Sequence, residues 1–171
     1  MKGKTRMAKH FIIGYIGSDR LGKGKELAEE LGCPVLVMDD EIERLDGRKI
    51  FRLVMVNGEH AYRNAEFEML SKLVDPAYDH GLAKDEDYPE TMVVVCGDGI
   101  ILDEMSLEIL EKQTCVFVDE DPEVLWERVK DDSTIPYFFM ASFNQEEKKK
   151  NFLDFHEIRR PVYMRAAGLD K

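Results

Sequence analysis

Residues 11–32 read FIIGYIGSDRLGKGKELAEELG, in which an apolar run leads into a glycine-containing turn and then into a helical pattern. The run at 11–16 lacks polar alternation, which is typical of a strand covered on both faces of a sheet. The helical pattern over 25–31 stops at Gly32, and Pro34 follows it. This stretch therefore predicts a strand, a turn and a helix in direct succession, the unit from which parallel α/β sheets are built.

The same alternation of short apolar runs and helical patterns continues along the chain. Further strands are predicted at 35–38, 92–96 and 115–118, and further helices at 40–45, 59–73, 103–112, 122–130 and 145–167. Because strands alternate with helices, we predict one α/β domain over residues 1–171, with a parallel sheet flanked by helices. Residues 74–90 are acidic and contain Pro76, Gly81 and Pro89, so we expect a surface loop or insertion there.

The composition excludes several classes of function. The chain has 171 residues and a formal net charge of −11, so we do not expect it to bind the phosphate backbone of nucleic acid. Its apolar runs are far shorter than the roughly 20 residues of a membrane-spanning helix, so we expect no membrane partner. The basic N-terminus lacks the apolar stretch of a secretory signal, which favours a cytoplasmic protein. The three cysteines have no metal-ligand spacing, and no other metal site is predicted.

The turn after the first strand is similar to a phosphate-binding loop. Such loops have the pattern Gly-x-x-x-x-Gly-Lys-Ser/Thr, and their backbone N–H groups hold phosphates at the start of a helix. The match is imperfect in both possible registers, residues 14–21 and residues 17–24. The second register restores Gly-x-x-x-x-Gly-Lys but lengthens the strand and shortens the helix to about nine residues, so we favour the first. A turn that binds nothing is the simplest alternative.

Further motifs follow this loop at spacings that one enzyme family shares. They are Asp39 with Glu41-Ile42-Glu43, Gly47, Gly58-Glu59, Tyr62-Arg63 with Glu66, Gly97-Asp98-Gly99, Ile135-Pro136 and Arg159-Arg160-Pro161-Val162-Tyr163. Through these motifs and the segment 14–28, residues 11–167 resemble the shikimate kinase family. The resemblance implies a P-loop kinase-like fold with a mobile lid, here at 131–143, and a fifth strand that this chain lacks. It also implies phosphorylation of shikimate by ATP with magnesium, a step of aromatic amino acid biosynthesis.

The nucleotide side of this resemblance is degenerate. The residues that match the family's phosphate loop and adenine contact are Gly14, Gly17, Ser18, Asp19, Arg20, Leu21 and Arg128. Asp19 replaces a glycine and adds negative charge, Arg20 replaces the phosphate-binding lysine, and Leu21 replaces the Ser/Thr that holds magnesium. Val37 replaces a magnesium-organising aspartate, and Ile135 replaces a lid arginine. Phosphoryl transfer depends on positioning and charge neutralisation, so these changes predict little activity.

The part of the site that would bind the phosphoryl acceptor, called the acceptor side below, keeps more of the family's residues. The resemblance implies that Asp39 holds ring hydroxyls and, together with Arg20, takes part in catalysis. It implies that Arg63 and Arg159 clamp a carboxylate, which suits the paired donors of a guanidinium. The segment Gly97-Asp98-Gly99 keeps two of the family's three glycines. Its aspartate could repel a bound carboxylate, or contact a hydroxyl or a metal ion.

The residue types alone leave structural roles open for the same side chains. Asp39 could cap the helix that follows it, because aspartate is common at that position. Arg63 could pair with Glu59 or Glu66 on one helix face. Arg159 could be a solvated charge near a helix end.

Three functions follow from these residues. The favoured one is a shikimate kinase-like protein with impaired catalysis that binds a small carboxylate or polyol such as shikimate, or regulates a partner. The second is an active ATP-dependent kinase, in which Lys23 or Lys25 joins Arg20 and Asp98 recruits metal; only this function requires ATP and magnesium. The third is a protein-interaction module with both sites vestigial. If the strand at 115–118 is an open edge, we expect a homodimer or another partner to cover it.

Overall fold

The computed structural model describes residues 8–133, 135, 142 and 144–170. The strands are β1 (Lys9–Gly14), β2 (Val35–Val37), β3 (Met92–Val95) and β4 (Thr114–Val118). The helices are α1 (Arg20–Leu31), α2 (Met38–Asp46), α3 (Ile50–Asn57), α4 (Glu59–Val74), α5 (Glu104–Glu111), α6 (Pro122–Val129) and α7 (Gln145–Ala166). A single 3₁₀ turn, Ile100–Leu102, precedes α5. The predicted α/β class is confirmed.

The four strands form one parallel sheet in the order β2-β3-β1-β4. Because all strands run in the same direction, the segments that follow β1, β2, β3 and β4 meet at one edge of the sheet. In this order β2 and β4 are the two edge strands. The connection from β1 to β2 and the connection from β3 to β4 therefore run in opposite directions across the sheet. Ligands of open α/β sheets bind outside the carboxyl ends of the strands at such a switch point. The fold therefore predicts a ligand site at the edge that follows Gly14, Val37 and Val95.

Side chains of β1 alternate between two apolar cores, one on each face of the sheet. Phe11 and Ile13 are buried in the larger core, which the helices α4 to α7 help to form. Ile12 is buried in the smaller core with Ala28 of α1 and Val93 of β3. The prediction of a strand covered on both faces is thus confirmed. Burial on both faces fixes β1, and with it the loop that follows.

The structure corrects three predicted boundaries. β1 spans Lys9–Gly14 instead of 11–16, and α1 begins at Arg20 instead of residue 25. These bounds agree with the loop register 14–21, because the alternative register required a longer strand and a shorter helix. α2 begins at Met38, so Asp39 lies inside the helix and its alternative role as a cap is wrong.

The structure describes the predicted loop at 74–90 in full and the predicted lid at 131–143 only in part. No helix or strand occurs between α4 and β3, in agreement with the loop predicted at 74–90. The predicted lid at 131–143 falls largely on residues 134, 136–141 and 143, which are outside the described residues. Ile135 is half-buried against the larger core. Within the described ranges, no helix is both long and apolar enough to cross a membrane.

Candidate functional site

The loop between β1 and α1 is folded onto its own backbone. Gly17 adopts a φ of 84°, a conformation that favours glycine. The Ser18 N–H donates to the carbonyl of Tyr15 at 3.0 Å, and the Ser18 hydroxyl donates to the same carbonyl at 2.7 Å. The Arg20 N–H donates to the carbonyl of Ser18 at 2.8 Å. Two N–H groups of the predicted phosphate cradle are therefore bound to carbonyls of the loop.

Asp19 caps the helix whose start would face a phosphate. Its Oδ1 accepts a hydrogen bond from the Gly22 N–H at 3.0 Å. A side chain at position 22 would collide with the Asp19 carboxylate, so the glycine permits the cap. Helix N-termini attract anions through free N–H groups and the helix dipole. Here the chain's own carboxylate occupies that favourable position, a role that the sequence analysis missed.

A second carboxylate, Glu120, binds the same loop. Its Oε2 accepts from the Asp19 N–H at 2.8 Å and from Arg128 Nη1 at 3.0 Å, and its Oε1 accepts from Arg128 Nη2 at 2.8 Å. The hydrogen bonds from Arg128 lower the pKa of Glu120. Arg128 also donates to the carbonyl of Gly17 at 3.0 Å. The predicted adenine contact is thus bound to the loop and to an acid that follows β4.

Arg20 and Leu21 depart from the roles of the residues that they replace. Arg20 Nη1 donates to the carbonyl of Cys96 at 2.7 Å, which ties the start of α1 to the end of β3. The Leu21 side chain is 43% exposed and has no oxygen for a hard cation. Val37 at the end of β2 has none either. Leu21 and Val37 therefore do not fit magnesium, which binds oxygen ligands. In the described part of the chain, no three His, Cys, Asp or Glu side chains are grouped to hold a metal ion.

On the acceptor side, three polar groups converge over Gly97. A Cβ added to this glycine would lie 2.6 Å from Tyr62 Oη, 2.8 Å from Glu66 Oε2 and 3.2 Å from Asp39 Oδ1. The Tyr62 hydroxyl donates to Asp39. Burial raises the pKa of Asp39, whereas the hydrogen bond from Tyr62 opposes the increase, and so do Arg20 and Arg63. The sheet edge therefore brings Asp39 together with the segment after β3, as the resemblance implied.

Arg63 lies between two glutamates of α4. Its Nη1 is 2.5 Å from Glu66 Oε1, and its Nη2 is 3.1 Å from Glu59 Oε1. Glu66 is 1% exposed, and burial raises the pKa of its carboxyl group to about 8, although Arg63 acts in the opposite direction. Arg63 thus makes both of the pairings that were left open as a structural alternative. The Arg63 guanidinium also packs directly against Gly99.

Arg159 is paired with Asp98 inside the protein. Arg159 is 3% exposed and Asp98 is 5% exposed, so the alternative role of Arg159 as a solvated charge is wrong. Arg159 Nη1 lies 3.2 Å from Asp98 Oδ2. Burial disfavours the charged guanidinium, but the Asp98 carboxylate together with Tyr163 and Tyr15 outweighs that effect, and the pKa of Arg159 is raised. Asp98 therefore neutralises the arginine that was predicted to clamp a ligand carboxylate.

The site as a whole contains arginines and acidic residues in equal number. Three arginines, Arg20, Arg63 and Arg159, lie among the acids Asp39, Glu66 and Asp98 at the same edge. All the predicted acceptor residues are thus brought together, and the phosphate-loop residues lie beside them. Chemically, the arrangement offers hydroxyl-binding groups around Asp39 and Tyr62. Each of the three arginines has a carboxylate or carbonyl partner among the described residues.

Comparison with known proteins gives one consistent family. The chain matches the family model described as shikimate kinase over residues 22–169. Shikimate kinase of Bacillus cytotoxicus is 32% identical over 157 residues, which cover 91% of this chain and 83% of that protein. A bifunctional shikimate kinase/3-dehydroquinate synthase of Thermotoga maritima is 34% identical over 119 residues, 70% of this chain but only 22% of that protein.

Solved structures with the same fold include two shikimate kinases. The enzyme from Acinetobacter baumannii in complex with shikimate superposes with a TM-score of 0.75 at 26% identity, covering 95% of this chain and 81% of that one. The enzyme from Aquifex aeolicus gives a TM-score of 0.68 at 27% identity, covering 91% and 81%.

Proposed function

Since the chain belongs to the shikimate kinase family, we propose that it is a member that has lost efficient phosphoryl transfer and that binds a small molecule in a regulatory role. The observation that carries this proposal is the binding of two carboxylates, Asp19 and Glu120, to the loop between β1 and α1. A polyphosphate needs those N–H groups and the helix N-terminus for itself. In this chain, the carboxylates of Asp19 and Glu120 already accept hydrogen bonds from N–H groups of the loop.

The hydrogen bonds within the loop disfavour nucleotide binding. To enter the loop, a triphosphate has to displace the Asp19 carboxylate from Gly22 and the Glu120 carboxylate from the Asp19 N–H. Hydrogen bonds to charged groups contribute roughly 1.5–3 kcal/mol each. The displaced carboxylates would remain near the phosphates, and like charges repel. Both effects weaken ATP binding.

The residues near the loop disfavour magnesium binding as well. Magnesium is bound through oxygen ligands and usually bridges phosphate oxygens in kinases. Leu21 and Val37 supply no oxygen at the two positions where the resemblance expects one. Loss of positioning and charge neutralisation together accounts for the proposed loss of activity.

The proposed ligand site is the acceptor side. Asp39, Tyr62 and Glu66 converge over Gly97, and Arg63 lies against Gly99. The structural relative from Acinetobacter baumannii holds shikimate, which supports a small molecule as the ligand here. Binding without turnover would suit a protein that senses a metabolite.

The proposal is tested by assaying shikimate 3-phosphate formation with Mg-ATP, beside the Bacillus cytotoxicus enzyme as the active control. We expect a rate below that of the control by at least about 10²–10³, the cost of losing one preorganised donor. A rate equal to the control contradicts the proposal and favours the active kinase. If the protein also binds no small molecule, the interaction module is favoured instead.

A further inference from the structure

The segment Gly97-Asp98-Gly99 places a carboxylate inside the acceptor side of the site. Asp98 is buried, and its Oδ2 lies 3.2 Å from Nη1 of the equally buried Arg159. The Tyr163 hydroxyl donates to the backbone carbonyl of Asp98, so α7 holds the segment from two residues. Asp98 is therefore fixed in position, and its charge is directed at Arg159.

A carboxylate ligand would have to compete with the chain's own acids. Arg159 is engaged by Asp98, and Arg63 is engaged by Glu66 and Glu59. Separating a buried ion pair leaves an uncompensated charge, which is strongly unfavourable. The ligand charge would also approach Asp39, whose pKa is already raised by burial and by Asp98.

We infer, building on the proposed function, that Asp98 is a specificity-determining residue that makes this pocket select an uncharged polyol over a carboxylate. A hydroxyl group both donates and accepts hydrogen bonds. It can therefore donate to Asp39 and accept from Arg63 without separating any ion pair.

Glu66 fits the same ligand chemistry. Its Oε2 is buried beside Gly97 and has no hydrogen-bond partner among the described residues. Burial raises the pKa of this carboxyl group to about 8, and the Arg63 guanidinium acts in the opposite direction. A carboxylate accepts a hydrogen bond from a hydroxyl group, and a neutral carboxylic acid can donate one to it. The groups around Gly97 thus suit hydroxyls better than a further negative charge.

The test compares two ligands that differ at one group. Shikimate and its uncharged analogue, in which the carboxylate is reduced to a hydroxymethyl group, are titrated by calorimetry without nucleotide. We expect wild type to bind the analogue at least about tenfold more tightly than shikimate, because shikimate must break a buried pair. Asp98→Gly should reverse this preference by releasing Arg159, and Asp98→Asn, which keeps the side-chain shape, should reduce it.

The control variant is Asp79→Asn, which removes one charge from an exposed residue of the loop between α4 and β3. It should keep the wild-type preference, so that a general change in net charge is excluded as the cause. The inference is overturned if wild type prefers shikimate, if it binds neither ligand, or if both Asp98 variants keep the wild-type preference. Because nucleotide is absent, these results are independent of turnover. Phosphorylation of the uncharged analogue at the rate of an active family member would refute the proposed function and leave this inference intact.

Discussion

At the scale of single residues, the site differs from a ligand-ready pocket because protein carboxylates occupy the groups that would bind anions. Asp19 binds the start of α1, Glu120 binds Arg128, and Asp98 binds Arg159. The chain carries a net charge of −11, so acids are abundant near any cation. What matters is that these three acids are positioned by hydrogen bonds. Under the proposed function, these acids occupy groups that would otherwise bind the anionic groups of a ligand.

Glu66 allows a test of the electrostatics in the folded chain. Burial raises its pKa from 4.5 to about 8, so the neutral form stabilises the fold. That contribution is complete below pH 4.5 and is lost as the pH rises through about 8. Relative to Glu66→Gln, the free energy of unfolding of wild type should fall by up to about 1.4 kcal/mol per pH unit across this range.

Urea denaturation of both proteins between pH 5 and pH 8 measures this difference. Glu30→Gln, at an exposed position of α1, is the control and should run parallel to wild type. Parallel curves for wild type and Glu66→Gln would show that Glu66 is ionised throughout this range and would contradict the prediction.

At the scale of elements, the loop between α4 and β3 is fastened by one buried cation. Lys72 Nζ donates to the carbonyls of Pro76, Tyr78 and Lys84 at 2.9, 3.1 and 2.9 Å. Lys72→Met keeps the aliphatic stem and leaves these carbonyls without that donor. We expect a loss of about 1–3 kcal/mol in stability and faster proteolysis within the loop. The control is Lys84→Met, whose side chain is exposed. Equal cleavage rates for wild type and Lys72→Met would contradict this role.

The elements also show what the sequence could predict. The strands β1, β3 and β4 were predicted correctly because short apolar runs lie between turns. The helix α7 was predicted from the long helical stretch at 145–167. α3 was missed because its sequence IFRLVMVN is apolar and rich in residues typical of strands, and no side chain caps its start. α3 packs against α4. This tertiary contact favours the helix, and a local sequence pattern carries no information about it.

The site was predictable where a motif marks it and not where distant residues complete it. Asp39, Arg63 and Arg159 were found by resemblance, and they do meet at one edge. Glu120 was missed, because it binds Asp19 across 101 residues. The only sequence signal was its place directly after a predicted strand, at the edge where the other site residues gather. The pairing of Asp98 with Arg159 spans 61 residues and was missed for the same reason.

At the scale of the whole molecule, the sheet ends in a strand with one unpaired side. β4 pairs with β1, and no described strand pairs with its other edge. Its residues Cys115 to Val118 are only half-buried although they are apolar. Open apolar edges favour pairing with another chain. The association predicted from the sequence, with a second copy of the chain or another protein partner, therefore remains our expectation, and a homodimer is its simplest form.

Sedimentation at micromolar to high micromolar concentration tests this association. We expect a dimer whose dissociation constant rises at least about tenfold in Val116→Lys, because a charged edge strand resists pairing. Asp79→Asn, at an exposed position of the loop between α4 and β3, serves as the control, since it should leave association unchanged. A wild-type protein that stays monomeric at the highest concentration contradicts the prediction.

The central claim is that the chain's own carboxylates deny the loop after β1 to nucleotide. It is tested most directly by titrating Mg-ATP, followed by calorimetry, into wild type and into a variant carrying Asp19→Gly, Arg20→Lys, Leu21→Ser and Glu120→Gln. The prediction is no saturable binding to wild type at millimolar ATP and measurable affinity in the variant. Saturable binding to wild type, unchanged in the variant, would contradict the claim.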